Sequence, residues 1–319
     1  MSVHHLILPW ASAQTPDCQD QWPALALPQL QRLLSRLKAL PALTDSDERL
    51  SMPHERALAS ALHLPGGDGL LPWAAVQARH DLPNAPAQPV GWAFVSLCHW
   101  QVHTHQVLMG HLPLAGLTAS ESDALLESMR DYFAEDGITL YAEQPGRWLA
   151  QSDLFASVSS AALDRVCGRN PDVWMPTDAI AAPLRRLQNE MQMLLYTHPV
   201  NDVRQAHGLP VVNSFWLHGC GTLAAEVQLP APAAWPQVVP DLRNAALAGD
   251  WSAWAQAWQR IDTTRMAALH QALDQGDPVR LTLCGERNCQ CWTSEGVGLW
   301  QRVRQRLTRQ PLTELLASL

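Results

Sequence analysis

Charge is scarce in this chain: only 16% of its 319 residues are Asp, Glu, Lys or Arg, and the acidic ones outnumber the basic ones 30 to 22. The resulting net charge of -8 repels polyphosphate backbones and anionic bilayers, so neither nucleic acid nor a membrane surface is an expected partner. No uninterrupted apolar run approaches the roughly 18 residues of a membrane span. Residues 1–10 lack a cationic n-region and a long h-region, so no signal peptide is expected. The seven Cys, at 18, 98, 167, 220, 284, 289 and 291, are odd in number and scattered without a paired framework, which points to a reducing, cytoplasmic setting. No internal repeat is visible. Phe and Tyr are few, 4 and 3, against 14 Trp. What is plentiful is apolar material, 47% of the chain, enough for one large core or two ordinary ones and incompatible with a disordered chain.

Periodicity predicts a short buried strand over 3–9 and helices over 27–40 and 54–64, the last ended by Pro65-Gly66-Gly67. Residues 91–97 and 101–109 read as neighbouring strands. A helix over 120–135 follows the cap sequence Thr118-Ala119-Ser120-Glu121, and strands over 138–142 and 147–150 flank Gln144-Pro145-Gly146. That run is an α+β module of its own. A long helix covers 179–196, a strand 211–217, a proline-rich connector 224–240, and a helical stretch 250–273 leads into a strand over 279–284. A last, basic helix is expected over 298–307. Trp251, Trp254 and Trp258 recur at helical spacing, which is a packing pattern.

Three constellations bear on chemistry. Cys284, Cys289 and Cys291 superficially suggest thiolate metal binding, but their gaps are not those of a zinc knuckle and no fourth ligand lies nearby, so small buried thiols at a strand end fit better. His103 and His105 would share one face of a strand, as a two-His metal pair requires, and polar-out alternation gives the same spacing. The densest group is His198, Asn201, Arg204, Asn213 and His218, with Gly208, Gly219 and Gly221 between them. Guanidinium, amide donors and glycines suit an anion site, or else cap the backbone at a helix-to-strand junction.

That last stretch, THPVNDVRQAHGLPVVNSFWLHGCG, resembles a segment of the archaeal-type cofactor-independent phosphoglycerate mutases, in which helix, HPVN, Arg, GLPPAN, strand and RGAG help build the substrate site. Gly249-Asp250, AWQRID and RLTLCGER are similar to the late part of the same family. The resemblance implies an α/β fold: an alkaline-phosphatase-like core sheet flanked by helices, with an inserted α+β cap module. The core would comprise 1–55 and 200–319, the cap 56–199. The order PHERALA, RLQNEMQMLLYTHPVND, NSFWLHGCG and LTLCGER is also similar to a group of regulatory proteins of the RpfE type, related to those mutases.

The family's chemistry uses two divalent metals on Asp and His ligands and a Ser nucleophile. At the matching places this chain has Leu8-Pro9-Trp10-Ala11 for the first metal loop and Glu286-Arg287 for an Asp-His pair, and a guanidinium cannot ligate a cation. Near the nucleophile's place stand Ser51 and His54, followed by Glu55, while the Arg of RGAG is His218. The resemblance therefore implies a catalytically degenerate, regulatory relative without a cofactor, keeping an anion pocket for a phosphorylated small molecule or holding a protein partner. Trp10 would then fill a retired site. The rival reading is an active metal-dependent mutase or phosphatase with rearranged ligands drawn from His54, Glu55 and Glu286. A third is a pure interaction module.

Overall fold

The computed structural model describes residues 3–82, 90–104, 106–111, 114–296 and 311–319. Among them the strands, in chain order, are β1 (His4–Leu8), β2 (Lys38–Ala39), β3 (Gly91–Cys98), β4 (Trp100–Val102), β5 (Val107–Met109), β6 (Thr139–Gln144), β7 (Arg147–Gln151), β8 (Ser214–Thr222), β9 (Gln237–Val238), β10 (Val279–Cys284) and β11 (Cys289–Thr293). The chain packs as two compact units, Met1–Glu48, Met52–His63 and Leu229–Leu319 in one, Arg49–Ser51 and Leu64–Gln228 in the other. Both mix sheet with flanking helices, as an α/β fold requires.

The first unit is built on a sheet of order β2-β11-β10-β1-β9, in which β1 runs parallel to β10 and β9 while β11 and β2 are antiparallel. Leu6, Ile7 and Leu8 are all buried, the unbroken apolar run of a strand covered on both faces. Ile7 packs with Cys284, Cys289 and the helix Pro53–Ala61 through Ala57 and Leu58. Asp262 is buried where the helix Trp251–Ile261 widens into the π-turn Asp262–Met266, and its carboxylate accepts from the N–H groups of Gln29 (3.2 Å) and Leu30 (2.7 Å). It thereby caps the helix Pro28–Leu34 from outside that helix.

The second unit holds an antiparallel sheet of order β6-β7-β3-β8 and a separate β4-β5 hairpin. The helices Ala119–Glu135 and Ala182–Tyr196 close its core, with Leu125, Met129 and Phe133 from one and Leu187, Met191 and Leu195 from the other. Thr118 opens the first of these helices with a capping box: its hydroxyl accepts from Glu121 N (3.2 Å) and the Glu121 carboxylate accepts from Thr118 N (2.8 Å).

Several expectations change. The helix expected over 27–40 stops at Leu34, because Lys38–Ala39 joins the sheet edge against β11 and Leu40 N donates to the Cys291 carbonyl at 2.8 Å. The connector 224–240 contains β9, held to β1. The strand expected over 211–217 runs on to Thr222, since β3 pairs with β8 as far as Gly91 opposite Thr222. Pairing with β3 places the segment from Pro199 through β8 in the second unit, so the division falls after His63 and after Gln228 where 55/56 and 199/200 were expected. The expected helix over 298–307 lies outside the described residues.

Candidate functional site

Ligands of open α/β sheets sit beyond the carboxyl ends of the parallel strands. Here that end is packed with protein. Trp10 follows β1 with φ +56°, buried, and Ala11 N donates to the Cys284 carbonyl at 2.8 Å. The buried indoles of Trp254 and Trp258 donate to the carbonyls of Trp10 (2.8 Å) and Ala11 (3.2 Å), and the Ser12 hydroxyl donates to the Leu316 carbonyl at 2.6 Å. The C-terminal helix Leu312–Ser318 buries Leu312, Leu315 and Leu316. Gly285, just past β10, lies so close to the terminus that a Cβ there would stand 2.4 Å from the Leu319 carbonyl oxygen.

This donor set does not suit a two-metal centre. Pro9, Trp10 and Ala11 supply no metal-binding side chain, and the Glu286 carboxylate accepts from Gln14 N at 2.9 Å with Arg287 beside it. Among the described residues, no group of three or more His, Cys, Asp or Glu is placed to hold a metal ion. His103 is exposed in the turn between β4 and β5, its N–H donating to the Gln106 carbonyl, and so is not on the strand expected over 101–109; His105 lies outside the described residues. Cys284 and Cys289 face each other across β10 and β11, and Cys291 faces Thr282.

The catalytic candidates have structural partners. Ser51 is buried and its hydroxyl accepts from Gly69 N at 2.8 Å, while its own N–H donates to Asp68 at 3.0 Å. His54 and Glu55 lie in the first turn of the helix Pro53–Ala61, where the Glu55 carboxylate accepts from Met52 N at 3.0 Å.

The expected ligand-binding residues are gathered around the helix Pro199–Ala206 and β8, but their polar atoms are bonded within the fold. Asn201 is buried, donating to the carbonyls of Leu195 (2.8 Å) and Val212 (2.7 Å) and accepting from Val212 N (2.8 Å). Arg204 is fully buried; it donates to the carbonyls of Pro210 and Ala115, both at 2.8 Å, and stands 3.5 Å from Glu121. Burial pushes the Glu121 carboxyl up, but hydrogen bonds from Thr118 and the Arg204 charge outweigh it and hold the group below its ordinary value. Asn213 closes both its amide groups on the backbone of Trp100, at 2.6 and 2.8 Å. His198 caps its helix by accepting from Val200 N and shares a hydrogen bond with Ser128 at 2.8 Å; burial lowers its pKa. His218 shares a hydrogen bond with Ser96 at 2.9 Å and stacks near Phe94. An anion at Arg204 would have to displace two carbonyls and oppose Glu121, so the helix-to-strand junction accounts for this cluster and an anion pocket does not.

An open groove of about 660 Å³ lies at the opposite, amino end of β1 and β9. His4, Trp235, Arg265, Gln271 and Gln275 line it. His4 stands 3.6 Å from Asp277. The π-turn buries Asp262 and Met266 and leaves Arg265 exposed toward the groove. No local pattern marks these residues, which come from three separate stretches of chain.

No family model matches the chain, and no curated protein matches it. Among solved structures it is similar to a cofactor-independent phosphoglycerate mutase from Thermoplasma acidophilum, at 14% identity and TM-score 0.36, covering 93% of this chain and 91% of that one. It is likewise similar to the PH0037 protein from Pyrococcus horikoshii, at 12% identity and TM-score 0.44, covering 99% and 96%.

Proposed function

We propose that this protein is a non-catalytic, regulatory relative of the cofactor-independent phosphoglycerate mutases, of the RpfE type, which binds a small phosphorylated metabolite. The observation that carries the reading is the packed carboxyl end of the core sheet, where Trp10, Trp254, Trp258 and the C-terminal helix occupy the place a substrate and its metals would need. The groove at the amino end supports the binding half of the proposal. Arg265 supplies a guanidinium for a phosphate, and Gln271 and Gln275 supply amide donors beside it.

The test has two arms. Purified protein assayed for phosphoglycerate interconversion with manganese is expected to show no turnover; turnover together with a stoichiometric bound metal would overturn the non-catalytic reading. A thermal-shift panel of phosphorylated metabolites is expected to raise the melting temperature of the wild type for at least one compound and to lose that response in Arg265→Ala. A response that survives Arg265→Ala moves the ligand out of the groove, and no response to any compound removes the metabolite.

A further inference from the structure

Cys284 ends β10 and Cys289 begins β11, and the antiparallel register sets them directly opposite each other. Their backbone hydrogen bonds all point away from one another. The Cys284 carbonyl accepts from Ala11 N at 2.8 Å, on the β1 side. Cys289 exchanges both of its bonds with Leu43, donating at 3.0 Å and accepting at 2.9 Å. Gly285 N donates to the Asn288 carbonyl at 2.9 Å, one step nearer the turn. Cys284 and Cys289 are therefore a non-hydrogen-bonded pair, the closer of the two antiparallel spacings, with Cα atoms about 4.5 Å apart. That separation is within the span of a disulfide, and opposed residues project from the same face of a sheet. Both side chains pack in one cluster with Ile7.

The surroundings make the two thiols unequal. Burial raises the Cys284 thiol, whereas the hydrogen bond from Cys284 and the charge of Arg56 lower Cys289 despite its own burial. Arg56 lies on the helix that covers this face, ion-paired with Asp45, and its buried Nε–H has no hydrogen-bond partner among the described residues. Cys291, two residues along the same strand face, is partly exposed and is opposed by Thr282, so it stands diagonal to Cys284.

We propose that Cys284 and Cys289 form a redox-active dithiol, which closes to a cross-strand disulfide when the protein meets a hydroperoxide. The Cys289 thiolate attacks one peroxide oxygen; the O–O bond breaks, Cys289 becomes a sulfenic acid, and the departing alkoxide or hydroxide takes a proton from solvent. The Cys284 sulfur then attacks the Cys289 sulfur, the S–OH bond breaks, and the hydroxyl leaves as water with the Cys284 proton. The two thiols together lose two electrons, which the peroxide gains.

Trypsin cuts after Arg280, Arg287 and Arg302, which separates Cys284, in residues 281–287, from Cys289 and Cys291, in residues 288–302. The full chain is exposed to hydrogen peroxide, alkylated under denaturing conditions, digested and mass-mapped. The expected product is a link between these two peptides, lighter than their sum by two hydrogens and cleaved by dithiothreitol. It persists in Cys291→Ser, disappears in Cys289→Ala, and forms severalfold more slowly in Arg56→Gln. Recovery of alkylated Cys284 from the oxidised wild type would overturn the proposal, and so would a link that survives Cys289→Ala.

Discussion

The indole N–H of Trp254 donates to the backbone carbonyl of Trp10 at 2.8 Å, joining two residues that lie far apart in the chain at the carboxyl end of the core sheet. Both are buried. Trp254→Phe keeps most of the apolar volume but removes that hydrogen bond, at a cost of about 1 kcal/mol. Trp254→Ala adds a cavity and should cost about 3–5 kcal/mol. The urea midpoint of the unit that holds Trp254 reads both losses. Should Trp254→Ala prove as stable as the wild type, the indole is not filling that end of the sheet.

Asn201 and Arg204 are expected to behave as structural residues. Asn201→Ala strands two carbonyls and one N–H in the interior, for a loss of about 3 kcal/mol. Arg204→Ala breaks a pair whose basic member is fully buried, for a loss of about 3–5 kcal/mol. A variant Arg204→Ala that kept its melting temperature yet lost a metabolite response would return this residue to a binding role.

His5 gives the fold an acid sensitivity. Burial, followed by the nearby Arg280 charge, lowers its pKa from 6.5 to about 4, and its ring is hydrogen-bonded to Thr282 at 2.9 Å. The folded chain thus holds the neutral ring, while the unfolded chain takes up a proton as the pH falls below 6.5. The stabilisation is complete above that pH and is lost progressively down to about 4. Between neutrality and a pH of about 4.5, wild type should lose about 2 kcal/mol more stability than His5→Gln, as measured by urea unfolding at both pH values. Parallel losses in the two proteins would assign the acid sensitivity elsewhere.

Gly285 admits no side chain. A Cβ there would stand 2.4 Å from the Leu319 carbonyl oxygen, which also accepts from Asn288 N at 2.9 Å. Gly285→Ala should cost about 1–3 kcal/mol and release the end of the C-terminal helix. Hydrogen exchange of Leu316 and Leu319 amides should quicken, with the amides of β7 unchanged; unaltered protection at the terminus would mean that the close approach relaxes without cost.

Local grammar was sufficient for the longer elements. The apolar run of β1, the Thr118 cap with Glu121, the heptad-like leucines of the helix Ala182–Tyr196 and the Trp251, Trp254, Trp258 stripe each carry their periodicity within one turn or one strand, where sequence spacing and spatial spacing coincide. The absence of metal-ligand side chains in Leu8-Pro9-Trp10-Ala11 was equally legible, since it needs only residue identity. Tertiary structure decided the rest. The edge strands β2 and β9 are two residues long and exist only because a neighbouring strand presents bonding groups to them. The polar run from His198 to His218 has the composition of an anion site, but the partners that use up its donors, such as Ala115 for Arg204 and Trp100 for Asn213, lie about a hundred residues away. The groove at Arg265 depends on the same thing, namely which distant stretches of chain meet, and composition and spacing carry no record of that; the opposition of Cys284 to Cys289 is instead a matter of hairpin register, set by the turn between β10 and β11.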